Sequence, residues 1–188
     1  MKFNAYDGDR NGMTIPEAIK IAKLFEETGG DAIEVSSGGI VLGFQSVRMT
    51  EPPIEAVMNV HHRYRNKSSL SKKILSAVLP FALKMLKPIH NYNVVAASEI
   101  KKHVKIPVIV TGGIRNFDVM ESILEKEQAD YISLCRPLII EPNLLKKFKE
   151  GKQDRSKCID CGYCLIGLTD NPLHCYRRKL TSRNYTLK

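Results

Sequence analysis

Pro107-Val108-Ile109-Val110-Thr111-Gly112-Gly113-Ile114-Arg115 is the stretch whose reading decides the fold class. A β-branched run without polar alternation predicts a strand buried on both faces. The glycine pair at its end lets the backbone turn sharply and approach a ligand, and free amides at a helix start favour an anion. Asn116 is placed to cap the next helix, which carries Phe117, Met120, Ile123 and Leu124 on one face. Asp130 to Leu134 reads as the following strand, ended by Cys135-Arg136-Pro137, and Asn143 to Lys149 as a short helix stopped at Gly151. Upstream, Val94 to His103 is helical, with Val95, Ala96 and Ile100 on one side.

The N-terminal third repeats this rhythm. Lys2 to Ala5 is a short strand, and Thr14-Ile15-Pro16-Glu17 a capping box. Ile15, Ala18, Ile19, Ala22 and Phe25 keep helical spacing up to Gly29-Gly30; Asp31 to Ser36 is the next strand, closed by Gly38-Gly39. Residues 40 to 69 show no period and read as irregular. Ile74, Leu75, Val78, Leu79, Ala82, Leu83 and Leu86 then form an apolar helical stripe with basic ends (Lys72, Lys73, Lys84, Lys87), which Pro80 is expected to bend or split. Such a stripe covers a core, or else meets a partner or a membrane surface. Strands alternating with helices imply parallel βα units. Four units match either a small open sheet or part of a (β/α)8 barrel, which takes about 250 residues.

Composition narrows the class. The 188 residues are 43% hydrophobic and 26% charged, ordinary globular values that exclude wholesale disorder. No apolar run reaches the roughly 18 residues of a membrane-spanning helix, and Met1 to Asp7 holds no signal-length apolar core, so a cytoplasmic chain is expected. The net charge of +9 is concentrated at the end, where Gly151 to Lys188 carries eight Lys/Arg against three Asp. A basic tail meets nucleic acid, an anionic cofactor or an acidic partner, or is simply solvated.

Two constellations carry chemistry. Gly112 and Gly113 close one strand and Arg136 the next; adjacent turns of this kind are where a barrel holds a phosphate, and a guanidinium fork suits that group. Cys158, Cys161 and Cys164 have C-x2-C-x2-C spacing, with Cys175 downstream. Such clustering in a cytosolic chain points to a metal centre, either an iron–sulfur cube or structural zinc, rather than a disulfide framework. His174 is an alternative fourth zinc ligand. Cys135, with no basic partner evident, reads as a small pocket-lining residue rather than a nucleophile. His61 and His62 are adjacent, cannot readily converge on one metal and read as surface residues. Asp7, Asp9 and Asp31 serve loop solubility or capping as well as acid–base work.

These segments resemble the C-terminal half of the NADH:flavin oxidoreductases of the Old Yellow Enzyme family, including the branch near 2,4-dienoyl-CoA reductase. The likeness spans most of residues 1 to 178, through Lys2-Phe3-Asn4, Gly30 to Ser36, Pro107 to Arg115, Ser133 to Pro142 and Lys157 to Leu165. It implies the α/β fold of a C-terminal (β/α)4 half of a TIM barrel: residues 1–150, holding family strands five to eight and a long insert over about 37–90, followed by a basic Cys-rich metal-binding tail over 151–188. Implied too is an FMN-dependent enzyme that takes hydride from NAD(P)H and passes it to an activated alkene or similar small-molecule acceptor. Lys2 then corresponds to the basic residue at the flavin N1/O2 edge, where a cation stabilises the anionic reduced flavin. Gly112, Gly113, Cys135 and Arg136 correspond to the FMN phosphate site, with Cys135 where many relatives have glycine. Cys158, Cys161, Cys164 and Cys175 correspond to [4Fe–4S] ligands, spaced one residue closer between second and third than in that branch; zinc is the alternative. Strands one to four and their substrate-binding residues are absent from this sequence, so no catalytic acid is assigned. The expected partner is a missing N-terminal half, or a second copy closing the barrel by self-pairing. The alternatives are a non-catalytic nucleotide-binding half-barrel, a subunit of a split enzyme, and a zinc-bearing nucleic-acid-binding protein. Against the last, aromatics are sparse among the tail charges: Tyr163, Tyr176 and Tyr185 are those of residues 151–188.

Overall fold

In the computed structural model the described residues are 1–7, 12–38, 48–50, 53–60, 64–82, 90–168 and 172–177. Four parallel strands form one sheet in sequence order: β1 (Lys2–Asn4), β2 (Ile33–Ser36), β3 (Val108–Thr111) and β4 (Tyr131–Ser133). Helices α1 (Ile15–Glu27), α2 (Ile54–Val60), α3 (Ser69–Ala82), α4 (Val94–Lys101), α5 (Phe117–Glu125), α6 (Arg136–Ile140), α7 (Leu144–Lys149) and α8 (Tyr163–Gly167) follow the connections. At the start of α1 the Thr14 amide donates to the Glu17 carboxylate at 2.9 Å, the back-reaching half of the expected capping box.

One face of the sheet carries the core. Phe3, Val35, Val110 and Ile132 stand in register, and with Ile33 and Val108 they pack against Ala18 and Ala22 of α1, Ala96, Ala97 and Ile100 of α4, and Met120 and Ile123 of α5. Small residues on α1 and α4 let helix and strand backbones approach closely. The opposite face carries Lys2, Asn4, Glu34, Ser36, Ile109, Thr111, Tyr131 and Ser133. It is only partly covered: Tyr131 is 60% exposed. This corrects the expectation of a strand buried on both sides. Val108 and Val110 are buried and Ile109 is half-buried, because helices cover a single face.

Other expectations are corrected as well. Residues 40 to 69, which show no period, contain α2, whose Ala56 packs on Ile166 of α8. α3 runs through Pro80 without a break. Val95 is exposed while Ala96, Ala97 and Ile100 are buried, since α4 meets the sheet through its alanine edge. α6 and α8 were not anticipated; Arg136-Pro137 starts a helix, where proline's fixed φ is suited to the first turn. Asp9, Gly39, His61, His62, Leu83, Lys84, Leu86 and Lys87, which the sequence singles out, lie outside the described residues. Among the described residues no helix is long and apolar enough to cross a membrane.

The one-sided core sets a test. Ile33→Ala removes a fully buried side chain and should cost about 2–5 kcal/mol. Ile109→Ala, on the half-covered face, should cost less than half as much in the same denaturant melt.

Candidate functional site

The strands point their C-terminal ends at one rim, and the turns after β3 and β4 meet there. Tyr92, Gly112, Gly113, Arg115, Cys135 and Arg136 line a polar recess of about 90 Å³. Gly112 sits at φ +128°, in the region glycine adopts without strain, and a Cβ there would press on the Tyr92 ring and the Asn93 amide. Asn93 is buried, and its Nδ2 donates to the Thr111 carbonyl at 2.6 Å. Among the described residues nothing donates to its Oδ1. The Tyr6 hydroxyl donates to the Tyr92 carbonyl at 3.2 Å, tying the loop after β1 to the same rim.

Two guanidiniums, Arg115 and Arg136, line this recess, and a third stands behind Tyr92. Arg48 lies 4.3 Å over the Tyr92 ring in a cation–π contact. Burial pushes the Tyr92 hydroxyl's pKa up, and the nearby Arg136, Arg48 and Arg115 temper the rise. Arg136 Nη1 donates to the Arg48 carbonyl at 3.0 Å and stands 3.1 Å from Asp160 Oδ1. Arg115 is only 4% exposed; its Nη2 donates to Asp160 Oδ1 and its Nε, at 3.3 Å, to Oδ2. One carboxylate thus holds two guanidiniums, one of them in a two-point fork.

Asp160 arrives from the cysteine segment, which is seated on the rim by backbone contacts. The Phe117 amide donates to Asp154 at 2.8 Å and the Ser156 amide to Arg115 at 3.0 Å, with an antiparallel bridge between Asn116 and Arg155. On its other side the Thr50 hydroxyl and amide donate to the carbonyls of Ile159 (2.7 Å) and Asp160 (3.0 Å). Gly162, at φ +73°, lies against the buried Met49. Behind the segment, Glu141 accepts from Lys147 Nζ (2.8 Å), the Lys157 amide (2.7 Å) and Gln153 Nε2 (3.2 Å). Burial alone would raise the pKa of Glu141; the bonds from Lys147, Lys157 and Gln153 outweigh it and hold the carboxyl below the ordinary glutamate value.

Gly112, Gly113, Cys135 and Arg136, singled out from the sequence, therefore share one recess. Lys2 does not join them: it begins β1, two residues short of the rim, and pairs with Glu34 at 2.8 Å on the half-covered face. Cys158, Cys161, Cys164 and Cys175 are all free thiols. Burial pushes the Cys158 and Cys164 thiols up, and Cys164 is raised further by the neighbouring Cys158 and Cys161. Thiolate sulfurs are soft ligands, and a metal that bound them would release the protons that burial retains. Among the described residues no three metal-ligating side chains are gathered around one point. Sequence reasoning missed Arg115 and Asp160. Arg115 ends the glycine turn and was visible there; nothing in the sequence marks Asp160 as its partner 45 residues away.

A sequence profile described as the NADH:flavin oxidoreductase / NADH oxidase family matches residues 44–155. An NADH oxidase of Thermoanaerobacter brockii is 30% identical over 88% of this chain and 20% of its own length. A 4,4'-dithiodibutanoate disulfide reductase of Rhodococcus erythropolis is 26% identical over 87% of this chain and 39% of its own length. The chain thus spans between a fifth and two fifths of these curated relatives. A solved 2-naphthoyl-CoA reductase in complex with 2-naphthoyl-CoA has the same fold, with a TM-score of 0.62 at 20% identity over 97% of this chain and 22% of that one.

The depressed pKa of Glu141 makes stability depend on pH. Its contribution is complete above the unfolded glutamate value of about 4.3 and is lost as pH falls through the lower folded value. Glu141→Gln should be less stable than the native chain at pH 7, with the gap closing below about pH 4 in melts across pH.

Proposed function

This chain belongs to the NADH:flavin oxidoreductase / NADH oxidase family, and on that premise we propose that it is the C-terminal (β/α)4 half of an FMN-dependent NAD(P)H oxidoreductase barrel. Residues 1–150 make up the half-barrel and 151–188 a basic metal-binding tail, whose stretch from Asp154 to Asp160 lies against the phosphate end. The observation that carries this reading is the recess at the strand C-termini, where Gly112, Gly113, Cys135 and Arg136 converge. Barrel enzymes build their sites at that end and hold phosphates in the loops after the last two strands.

The recess residues fit a phosphate monoester. Arg136 supplies charge and direction, the glycine turn allows close backbone approach, and buried Arg115 adds to the positive field. FMN, when bound, supplies hydride transfer between NAD(P)H and an activated alkene or similar acceptor. Lys2, on the face that a closed barrel would turn inward, provides a cation for the N1/O2 edge of the reduced flavin, with Glu34 holding its ammonium until then. Cys158, Cys161, Cys164 and Cys175 are the candidate ligands of a [4Fe–4S] cluster, or of zinc. Closing the barrel falls to an N-terminal half or to a second copy; the partly covered sheet face and the edge strands β1 and β4 support that need.

The same open face favours one second reading, a half-barrel that holds FMN without turnover. The deciding measurement is an absorption spectrum of anaerobically purified chain before and after dithionite. Flavin bands that bleach support the FMN site, a brown shoulder that bleaches supports a cluster, and a colourless protein overturns both. Retained flavin with no NAD(P)H oxidation selects the second reading. Arg136→Ala should weaken FMN binding by about 10–100-fold, the worth of a hydrogen bond to a charged group, and leave riboflavin binding unchanged in a fluorescence titration.

A further inference from the structure

Asp160 is the carboxylate that faces the arginine pair of the recess. Its two oxygens engage the Arg115 guanidinium through Nε and Nη2, and Oδ1 also reaches Arg136 Nη1 at 3.1 Å. This is the pattern by which a phosphate is gripped: two oxygens in a planar fork, one of them shared with a second guanidinium. Its side chain is 9% exposed, so the charge is held where attraction is weakly screened. Arg136 belongs to both sites, lining the recess and touching the carboxylate. Asp160 also lies between Cys158 and Cys161, on the segment that crosses the rim.

We propose that Asp160 is an internal anion that latches the Cys158–Cys161 segment onto the arginine pair, and that a phosphate monoester entering the recess displaces it. The inference rests on the phosphate reading of the recess given above. A phosphate monoester carries between one and two negative charges near neutral pH, more than the single charge it replaces. It draws Arg136 into the recess, and the carboxylate, losing one of its two guanidiniums and facing a like charge, lifts away. The cysteine segment is therefore closed when the recess is empty and released when it is filled. By linkage, the factor by which phosphate opens the segment equals the factor by which an open segment tightens phosphate.

The test uses the whole chain, with inorganic phosphate as the probe and sodium chloride at matched ionic strength as the control. In chain freed of bound metal by a chelator, alkylation of Cys158 and Cys161, followed by peptide mass, should accelerate about fivefold or more with saturating phosphate. In Asp160→Asn the alkylation should be fast without phosphate, and phosphate should bind tighter by a similar factor. Unchanged alkylation with bound phosphate overturns the proposal, as does weaker or equal phosphate binding in Asp160→Asn. Should that variant fail to fold with Arg115 left unpaired, Arg115→Met with Asp160→Leu replaces the buried pair by apolar side chains; its alkylation should ignore phosphate, and a retained response sinks the latch. The flavin reading is separated by repeating the titration with FMN and riboflavin. A chain that responds to phosphate yet does not prefer FMN over riboflavin keeps the latch and loses the FMN site. One that prefers FMN without any change in alkylation keeps the site and loses the latch.

Discussion

Everything in this molecule depends on burying one face of a four-strand parallel sheet. Ile33, Val35, Val108 and Val110 are completely removed from water, each worth about 1.5–3 kcal/mol, and the alanines of α1 and α4 are what let the helices come close enough. Because the strands are parallel and the covered face is fixed, all four C-termini emerge at one rim. The recess at that rim is thus a consequence of sheet packing before it is anything else.

The second constraint is electrostatic. A rim that gathers Arg48, Arg115 and Arg136 would repel itself without an anion, and the chain supplies one from its cysteine segment. Asp160 and Glu141 play parallel roles from opposite ends. Glu141 anchors the segment's start through Lys147, Gln153 and the Lys157 amide, and Asp160 draws its middle onto the rim. Neither carboxylate is spare: each is buried, and each would cost several kcal/mol if left without its partners.

How much of this was legible varies with the range of the interaction. The βα rhythm, the capping box and the glycine turn are local patterns, and the strands appear within one or two residues of where periodicity puts them. Gly112-Gly113 and Arg136 line one recess, as their spacing leads one to expect, since the ends of adjacent strands are neighbours in a parallel sheet. Reading Pro107 to Val110 as doubly buried did not work. β-branched composition reports a strand, while the number of covered faces depends on which helices return to the sheet. Nor could helical spacing alone choose the face of α4, where alanine rather than valine meets the strands because its size permits closer contact.

The sequence by itself determined the alternation of strands and helices, the parallel sheet, the glycine turn and the family to which the chain belongs, because short-range spacing and composition encode them. Only the tertiary structure decided that Lys2 stands apart from the recess, that the cysteine segment crosses the rim, and that Asp160 meets Arg115 and Arg136. Those contacts join positions 24 to 45 residues apart through side chains that carry no local signature. A charge's partner is set by where the packed backbone brings it, and that is a property of the fold.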